Sequence, residues 1–518
     1  MRRLEPLRRF YLCLPLAILL LAAAEGCGAQ GTLERPGLRP VESPAGQPAA
    51  TWREPHRPQF HFSPPAMWMN DPNGMVYFDG EYHLFYQYYP NATAWGPMHW
   101  GHAVSRDLVR WQHLPIALYP DELGYIFSGS AVVDWRNSSG FGADGQPPLV
   151  AIFTYHHPEL AKAGGKNHEY QGLAWSTDRG RTWTKYAGNP VLPNPGGLQD
   201  FRDPKVFWHE DTQRWVMALS AADHVQFWAS PNLKDWSHLS DFGREWGAHG
   251  GVWECPDLVE MPVEGSTEKR WVLILNLNPG GPQGGSGTQY FVGDFDGVRF
   301  TLAPSFERTL QAEGAAWLDA GRDNYAGVTW ADVPEADGRT LFIGWMSNWD
   351  YAQQVPTHPW RSAMTLPREL VLTRTEHSGY RVHSRPVTEL ELLRDKTVTL
   401  EPRTVATGTS VPLLADIPVA QSEWILEFQL PDAVGYAFGI ELSNELGERY
   451  RFGYDGASNQ FYSDRTASGD FAFSEKFAGV HRATRLSPDR KLTLHLFIDA
   501  ASIEAFADGG ANVLTDTF

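Results

Sequence analysis

A short pattern that ends in tryptophan occurs three times and limits the folds that this chain can adopt. The copies are Ser-Arg-Asp-Leu-Val-Arg-Trp at 105–111, Ser-Pro-Asn-Leu-Lys-Asp-Trp at 230–236 and, with one added residue, Ser-Thr-Asp-Arg-Gly-Arg-Thr-Trp at 176–183. They begin 71 and 54 residues apart, which is enough for a four-stranded sheet with its loops. This spacing favours a β-propeller, in which a polar turn and a packed tryptophan recur in successive blades. The alternative is three unrelated surface turns.

Other segments predict antiparallel strands rather than helices. Asp79 and Gly80 separate two aromatic runs, 75–78 and 81–87, and an Asp-Gly pair in this position is a strong hairpin signal. Phe, Trp and Tyr make up 13% of the chain, as is typical of β-rich proteins. The formal net charge of −18 argues against nucleic-acid binding, which requires Lys and Arg to neutralise phosphates. We therefore predict an all-β protein.

The character of the sequence changes near residue 375. Tryptophan becomes scarce, and alternating apolar residues at 424–430 and 492–498 predict half-buried strands. We expect a propeller over 57–375, a linker over 376–395 and an antiparallel β-sandwich over 396–518.

The amino terminus has the features of a secretory signal. Arginines within 1–10 precede an apolar run over 11–24, which is too short for an ordinary membrane span. We expect a signal peptide over 1–27 and a flexible linker over 28–56. The mature protein should then be extracellular or periplasmic without a transmembrane segment, and a lipid anchor at Cys27 is the alternative.

Three acidic residues, Asp71, Asp203 and Glu254, lie in similar contexts. A proline follows each acid within two residues, and an apolar run follows the proline, so each acid is expected at the entry to a strand. In a propeller, the first strand of every blade lies near the axis, so these distant acids could meet at one end. A single Asp-Pro pair is more often a turn or a strand cap. Two carboxyl groups on either side of a glycosidic bond, however, are the usual means of hydrolysing it.

Five segments resemble, in order, the motifs of glycoside hydrolase family 32, which contains invertases, inulinases and levanases. They are His-Phe-Ser-Pro-Pro-Ala-Met-Trp-Met-Asn-Asp-Pro-Asn-Gly at 61–74, Trp-Gly-Pro-Met-His-Trp-Gly-His at 95–102, Phe-Ser-Gly-Ser at 127–130, Phe-Arg-Asp-Pro at 201–204 and Trp-Glu-Cys-Pro at 253–256. The resemblance extends over 57–518 and implies a five-bladed β-propeller followed by a jelly-roll-like β-sandwich.

The resemblance also implies a role for each acid. Asp71 matches the nucleophile, which attacks the anomeric carbon of fructose. Glu254 matches the general acid/base, which has to hold a proton near neutral or mildly acidic pH. Asp203, beside Arg202, matches a residue that binds fructose hydroxyls more strongly in the transition state. A gap of about 5–5.5 Å between Asp71 and Glu254 would give retention, and a gap of about 6.5–9.5 Å would give inversion.

Further positions match the family's fructose pocket. They are Asn70, Gln87, Trp95, Phe127, Ser128, Arg202 and Trp345. Trp349 competes with Trp345 as a wall of this pocket. The motifs indicate no metal ion, because no third ligand with suitable spacing accompanies His99 and His102. They indicate no nucleotide cofactor, because no glycine-rich phosphate loop opens a helix.

The motif variants are most similar to those of exo-acting fructanases. We therefore expect a secreted exo-β-D-fructofuranosidase that removes terminal fructose from levan or inulin and also cleaves sucrose. The alternatives are a sucrose-preferring invertase, an endo-levanase, a fructosyl transferase and, from another class, a non-catalytic fructan-binding protein. The sandwich is expected to brace the propeller, and the oligomeric state stays open.

Overall fold

The computed structural model describes residues 51–375, 379–413, 419–433 and 435–518. The expected signal peptide, Cys27 and positions 28–50 of the expected linker lie outside the described residues. Within the described ranges the secondary structure is almost entirely β, and none of the helices has the length and apolar character to cross a membrane.

The described residues between 67 and 386 form five mainly antiparallel sheets, each of them one blade of a propeller. Blade 1 contains β1 (Met67–Phe78), β2 (Glu81–Tyr89), β3 (His99–Ser105) and β4 (Trp111–Leu118). Blade 2 contains β5 (Tyr125–Val133), β6 (Leu149–His156), β7 (Glu169–Ser176) and β8 (Thr184–Lys185), with helix α1 (Pro158–Lys162) between β6 and β7. Blade 3 contains β9 (Phe201–His209), β10 (Arg214–Ala221), β11 (His224–Ser230) and β12 (Ser237–Phe242).

Two further blades complete the ring. Blade 4 contains β13 (Val252–Pro262), β14 (Lys269–Asn278), β15 (Gly287–Phe295) and β16 (Phe300–Leu302), and helix α2 (Pro304–Glu313) follows it. Blade 5 contains β17 (Tyr325–Thr329), β18 (Thr340–Met346) and, after the short strand β19 (Trp360–Arg361), β20 (Ala363–Met364), β21 (Arg368–Thr375) and β22 (Gly379–Pro386). Strand β19 pairs in parallel with β1 and so joins the last blade to the first.

The first strand of each blade lies at the central axis. β1 contacts β5, β5 contacts β9, β9 contacts β13, β13 contacts β17, and β17 returns to β1. The copies of the sequence repeat form the turns from β3 to β4, β7 to β8 and β11 to β12. In the first copy, Asp107 accepts the backbone N–H of Arg110 at 2.7 Å, and Trp111 stacks on Trp330 of blade 5. The repeat is therefore a blade feature, and the predicted five-bladed propeller is confirmed.

Two four-stranded sheets form the carboxy-terminal β-sandwich. Its strands are β23 (Ser422–Gln429), β24 (Ala437–Ser443), β25 (Arg449–Asp455), β26 (Gln460–Ala467), β27 (Val480–Thr484), β28 (Lys491–Ile498), β29 (Ser502–Ala507) and β30 (Asn512–Thr517). Strands β24 to β27 form one sheet, and the other sheet has the order β23, β28, β29, β30. Alternate side chains of both sheets, including Phe452, Phe461 and Leu494, form a shared apolar core. A 3₁₀ helix, Asp508–Gly510, connects β29 to β30.

The expected propeller boundary at 375 lies too early. Strand β22 pairs with β21 along its whole length, so 379–386 belongs to blade 5. A 3₁₀ helix, Thr388–Leu393, follows directly, and its Leu390 is buried in the same apolar cluster as residues of β1 and β18. The expected linker over 376–395 is therefore corrected. Composition could not reveal β22, because this edge strand has no tryptophan and alternates with charged residues.

Buried charges connect the sandwich to the propeller. Arg368 of β21 donates to Glu504 of β29 at 2.6 Å and to Asp319 at 2.9 Å, and all three side chains are buried. The ring of His61 lies between two acids of the sandwich, with Nδ1 at 2.8 Å from Asp499 and Nε2 at 3.0 Å from Glu504. Removal of one partner leaves the others buried without compensation, so this network ties the two modules together.

His61 makes the stability of this contact dependent on pH. Burial opposes the charge on its ring, but hydrogen bonds to Asp499 and Glu504 outweigh burial and raise the pKa of His61 to about 9. This value lies above the value of 6.5 for an unperturbed histidine. The stabilisation is therefore complete below pH 6.5 and is lost as the pH rises towards 9, a difference of about 3 kcal/mol.

We expect the substitution His61→Gln to lower the free energy of unfolding by about 2–3 kcal/mol at pH 6 and to remove most of its decline between pH 6.5 and 9. Urea unfolding at several pH values measures both effects. His238→Gln is the control, because it removes a half-exposed pair with Asp241 and should cost under about 1 kcal/mol. An unchanged pH dependence in His61→Gln would show that another group is responsible.

Candidate active site

Every inner strand of the propeller carries a β-bulge at the same level. In each of the five blades, two residues of the inner strand face one residue of the next strand. The bulged pairs are Asn70-Asp71, Phe127-Ser128, Asp203-Pro204, Cys255-Pro256 and Ala326-Gly327. A bulge interrupts strand alternation and redirects side chains. The three acids thus lie inside their strands, at or beside a bulge, rather than at the strand entries expected from the prolines.

Three of these bulges have an unfavourable backbone conformation. Asp203, Cys255 and Ala326 have positive φ angles of 67°, 45° and 51°. This conformation costs an L-residue about 1–3 kcal/mol. Pro204 and Pro256 follow two of them, and proline suits a bulge because the ladder does not need its missing N–H there. Contacts around the bulges therefore have to hold these residues in place.

Asp71 is held by neutral donors. The Ser128 hydroxyl donates to its Oδ2 at 2.7 Å, and the Asn70 amide donates to its Oδ1 at 2.9 Å. The Trp68 indole fixes Asn70 in turn, at 2.7 Å. Within the described ranges, no Lys or Arg forms an ion pair with Asp71. Two fixed donors and an uncompensated charge suit a carboxylate that acts as a nucleophile.

Asp203 and Cys255 fix each other. The backbone N–H of Cys255 donates to Asp203 Oδ2 at 3.0 Å. The Cys255 thiol lies 3.6 Å from the same oxygen and 3.8 Å from Asp71 Oδ2. The backbone N–H of Asp203 donates to the Thr154 hydroxyl at 2.9 Å. Because Cys255 lies between two acids, its neighbour Glu254 is brought to the same end of the axis.

Glu254 interacts with a cation and a phenol. Nε and Nη2 of Arg202 both lie 3.1 Å from Glu254 Oε1, and the Tyr325 hydroxyl donates to Oε2. Arg202 also donates to Glu169 at 3.0 Å and to Asp200 at 2.7 Å. The side chain of Glu254 is 20% exposed, so a ligand can reach its carboxyl group.

The electrostatics of the site favour a protonated carboxyl group. Burial raises the pKa of Asp71, although its neutral hydrogen-bond donors act in the opposite direction. Burial also raises the pKa of Asp203 well above its usual range despite Arg202, and the charges of Glu254 and Asp71 add to this. The pKa of Glu254 is raised by burial, against Arg202 and Tyr325. Three neighbouring carboxyl groups cannot all ionise easily, so one proton stays available for acid catalysis.

Comparison with models of known protein families identifies the family of this chain. The model of the glycosyl hydrolases family 32 N-terminal domain matches residues 61–386, and that of the family's C-terminal domain matches residues 389–518. The chain belongs to glycosyl hydrolase family 32. It is therefore a glycoside hydrolase, and the resemblance seen in its motifs is confirmed.

Relatives within family 32 cover most of the chain. A levanase of Bacillus subtilis (strain 168) is 49% identical over 465 residues, which is 89% of this chain and 66% of the levanase. An extracellular exo-inulinase of Aspergillus awamori is 40% identical over 498 residues, or 90% of each chain. The crystal structure of an exo-inulinase from that organism matches with a TM-score of 0.77 at 37% identity and covers 90% of this chain and 94% of its own. A β-fructofuranosidase of Schwanniomyces occidentalis, complexed with fructosyl-erythritol, matches with a TM-score of 0.76 at 34% identity and 90% and 92% coverage.

The other pocket residues expected in this family 32 protein surround the acids. Gln87 faces the bulge of β1, and its amide donates to a backbone carbonyl of β5 at 3.0 Å. Phe127 lies on β5 with its ring edge-on to Trp95, 6.0 Å between centroids. Trp95 is 37% exposed and forms the outer edge of this group. Gln87 and Phe127 thus lie beside the bulges that carry Asp71 and Ser128, and Trp95 lies beside Phe127. Their contact with a sugar stays a prediction.

Trp345 does not reach the surface of the site. Its side chain has no exposure and packs against Trp68, Tyr325 and Trp349. The expected contact between Trp345 and sugar is therefore corrected, because its ring supports the site from behind. Trp349 stays partly exposed and stacks on Trp68 at 5.9 Å. The sequence could not separate the two, because both lie in the same short segment around the end of β18.

Sequence reasoning missed two residues of the site, Tyr325 and Glu169. Tyr325 is the first residue of β17, at the level of the acids in the other blades, but its strand has no acid-proline pair. The presence of motifs on the other four inner strands was the signal that could have drawn attention to it. Glu169 begins β7, which is not an inner strand, and no sequence signal identifies it.

One group among the described residues has the geometry of a metal site. Ligand atoms of His156, His168 and Glu169 lie within 4.8 Å of one another. The guanidinium of Arg202, however, lies 3.0 and 3.1 Å from the two oxygens of Glu169. A metal ion here would be repelled by this fixed positive charge. The group fits an ion-pair network better than a metal centre.

The substitution Tyr325→Phe should raise the pKa of Glu254, because it removes a donor that stabilises the carboxylate and leaves the ring unchanged. Difference infrared spectroscopy of the carboxyl C=O stretch measures this change, with Glu254→Gln to identify the band. Tyr454→Phe, which removes a buried hydroxyl from Asn459 within the sandwich, is the control. A Glu254 pKa that falls, or that moves equally in both variants, would contradict the assigned hydrogen bond.

Proposed function

We propose that this protein is a secreted, retaining exo-β-D-fructofuranosidase that releases terminal non-reducing fructose from fructans and also cleaves sucrose. The names of its relatives, levanase and extracellular exo-inulinase, support the substrate class and the export. The observation that carries the proposal is that Asp71, Asp203 and Glu254, from three different blades, meet at one end of the axis, where Cys255, the neighbour of Glu254, contacts both aspartates. Lipid attachment at Cys27 is kept as an alternative to free release from the cell.

In the first step, ionised Asp71 attacks the anomeric carbon of the terminal fructose. Glu254 gives its proton to the departing oxygen, the glycosidic bond breaks, and a fructosyl ester forms on Asp71. In the second step, Glu254 takes a proton from water, which attacks the same carbon and releases Asp71. Two inversions give net retention. Retention requires a separation of about 5–5.5 Å between the two carboxyl groups. The charge of Asp71 raises the pKa of Glu254, so the two groups lie within electrostatic reach of each other.

Asp203 would bind hydroxyl groups of the fructose ring. Its carboxylate is fixed by the backbone N–H of Cys255, so it is ready before the substrate arrives. Hydrogen bonds of this type accelerate the reaction when they strengthen as positive charge develops on the ring. Asn70, Gln87, Ser128 and Arg202 would hold the other polar edges of the sugar. Phe127, Trp95 and Trp349 would supply its apolar contacts.

The propeller over 57–386 is the catalytic unit in this proposal, and the sandwich braces it. Arg368 and His61 support this division, because both connect the two units through buried charges rather than through a sugar-sized cleft. No segment of the sandwich is assigned a substrate.

Product analysis tests the mode of action. Digestion of levan and inulin should release fructose without intermediate oligosaccharides, whereas an endo-levanase would produce oligosaccharides first. The ratio of kcat/KM on levan, inulin and sucrose separates a fructanase from an invertase, since a large preference for sucrose would mean the latter. Longer products at high sucrose would indicate a transferase.

The roles of the two acids predict different losses on substitution. Asp71→Asn should lower kcat on sucrose by about 10⁴-fold or more, because no covalent intermediate can form. Glu254→Gln should lower kcat by about 10²–10⁴-fold. An aryl fructoside, whose leaving group needs no proton, should recover part of the Glu254→Gln loss and none of the Asp71→Asn loss.

Asp241→Asn, on the outer strand β12, serves as the control and should keep its activity. Unchanged hydrolysis by Asp71→Asn would point to another nucleophile. Fructan binding without hydrolysis by the unaltered protein would favour the non-catalytic alternative.

A further inference from the structure

Glu169 is a buried carboxylate that none of the proposed steps uses. It begins β7 of blade 2, and its side chain is 1% exposed. Nη1 of Arg202 donates to both of its oxygens, at 3.0 and 3.1 Å. The backbone N–H of Phe201 donates to Oε2 at 2.8 Å. Glu169 therefore fixes both the start of β9 and the side chain of Arg202, the residue next to Asp203.

Arg202 lies between two carboxyl groups. Its Nη1 faces Glu169, while its Nε and Nη2 face Glu254 at 3.1 Å. A guanidinium is a rigid planar fork, so a partner that fixes one edge also fixes the direction of the other edge. The orientation of Arg202 towards Glu254 is thus set in part by Glu169.

We propose that Glu169 is a positioning residue for the hydrolysis, which fixes the Arg202 guanidinium beside Glu254 and takes up part of its positive charge. The inference rests on the proposed function, in which Glu254 delivers a proton. An arginine paired with Glu254 alone would favour the anionic carboxylate. Because Glu169 and Asp200 also pair with Arg202, its positive charge acts less strongly on Glu254, and Glu254 can keep its proton.

Titratable groups on several strands surround Glu254 and Glu169. Around Glu254 they are Asp71, Asp203, Cys255, Tyr325 and Arg202. Around Glu169 they are His156 at 3.2 Å, His168 at 3.8 Å and Arg202. Burial opposes the charge on Glu169, but Arg202, His156 and the backbone N–H of Phe201 together outweigh it and hold the pKa of Glu169 at about 2. Glu169 is therefore an anion throughout the pH range of an assay.

His156 gives Glu169 a second connection to the site. Its Nδ1 lies 3.2 Å from Glu169, and its ring stacks on Phe127 at 4.3 Å between centroids with an angle of 11°. One carboxylate thus contacts groups on two sides of the sugar site: the arginine beside the acid and the ring behind the apolar wall.

The substitution Glu169→Gln keeps the shape of the side chain and an acceptor for Arg202 but removes the negative charge. More of the Arg202 charge then acts on Glu254, which should lose its proton at lower pH, so the basic limb of the kcat/KM profile moves to lower pH. On sucrose, we expect kcat/KM to fall about three- to tenfold at pH 7.5 and less than about twofold at pH 5. The pKa of Glu254, measured from its infrared carboxyl band, should likewise fall, whereas Tyr325→Phe is expected to raise it.

Asp200→Asn provides a graded comparison. It also removes a carboxylate from Arg202, at 2.7 Å, but this side chain is 22% exposed and water screens its charge. The basic limb of the kcat/KM profile should therefore move to lower pH by a smaller amount. If Glu169→Gln does not fold, Asp200→Asn still tests the direction of this shift. A loss of activity that is equal at all pH values, or a limb that moves to higher pH, would overturn the inference.

The proposed function can fail separately. An unaltered protein that releases no fructose would overturn that function and this inference together. An active protein whose Glu169→Gln variant keeps the pH profile and the infrared titration of the unaltered enzyme would overturn the inference alone.

Discussion

The bulge that recurs at one level of all five inner strands is the constraint on which the site depends. In a regular strand, consecutive side chains point to opposite faces. Yet Arg202 and Asp203 both contact the site, and so do Glu254 and Cys255. The bulges make this possible because they break the alternation, and the positive φ angles of Asp203 and Cys255 belong to the same distortion. A chain that relaxed into regular pleating would turn half of these groups away from the axis.

Carboxyl groups of one chemical kind acquire different properties through their neighbours. Asp71 has a hydroxyl and an amide as donors, whereas Glu254 has a guanidinium and a phenol. The Arg202 guanidinium also donates to Glu169 and Asp200, so its positive charge is shared among several carboxyl groups. Environments that push the proton affinities of two acids apart are the usual basis of paired acid and nucleophile roles. Here burial and the charge of Asp71 raise the pKa of Glu254 against Arg202 and Tyr325, so its proton affinity depends on residues from several blades.

Local signals in the sequence predicted much of this arrangement. The turn that begins at Ser105 and its two copies indicated blades, and the prolines after Asp71, Asp203 and Glu254 indicated inner strands. The remaining features depend on contacts that no local pattern contains. Glu169 meets Arg202 across 33 residues, and Tyr325 meets Glu254 across 71. The burial of Trp345 follows from its place opposite Tyr325 in the ladder, and strand β22 was missed because an edge strand needs little apolar surface.

The sandwich also contributes to the geometry of the site. Asp323, two residues before Tyr325, accepts from Arg465 of β26 at 2.7 Å and from the backbone N–H of Thr517 at 2.8 Å. Arg465 is fully buried and also donates to the Tyr351 hydroxyl. The segment that leads into β17 is therefore held by the sandwich, and β17 carries the hydroxyl that binds Glu254. Since a buried charge such as Asp323 requires its partners, the second module stabilises the inner strand of blade 5 in this position. The two units thus form one catalytic structure, although the acids themselves all come from the propeller.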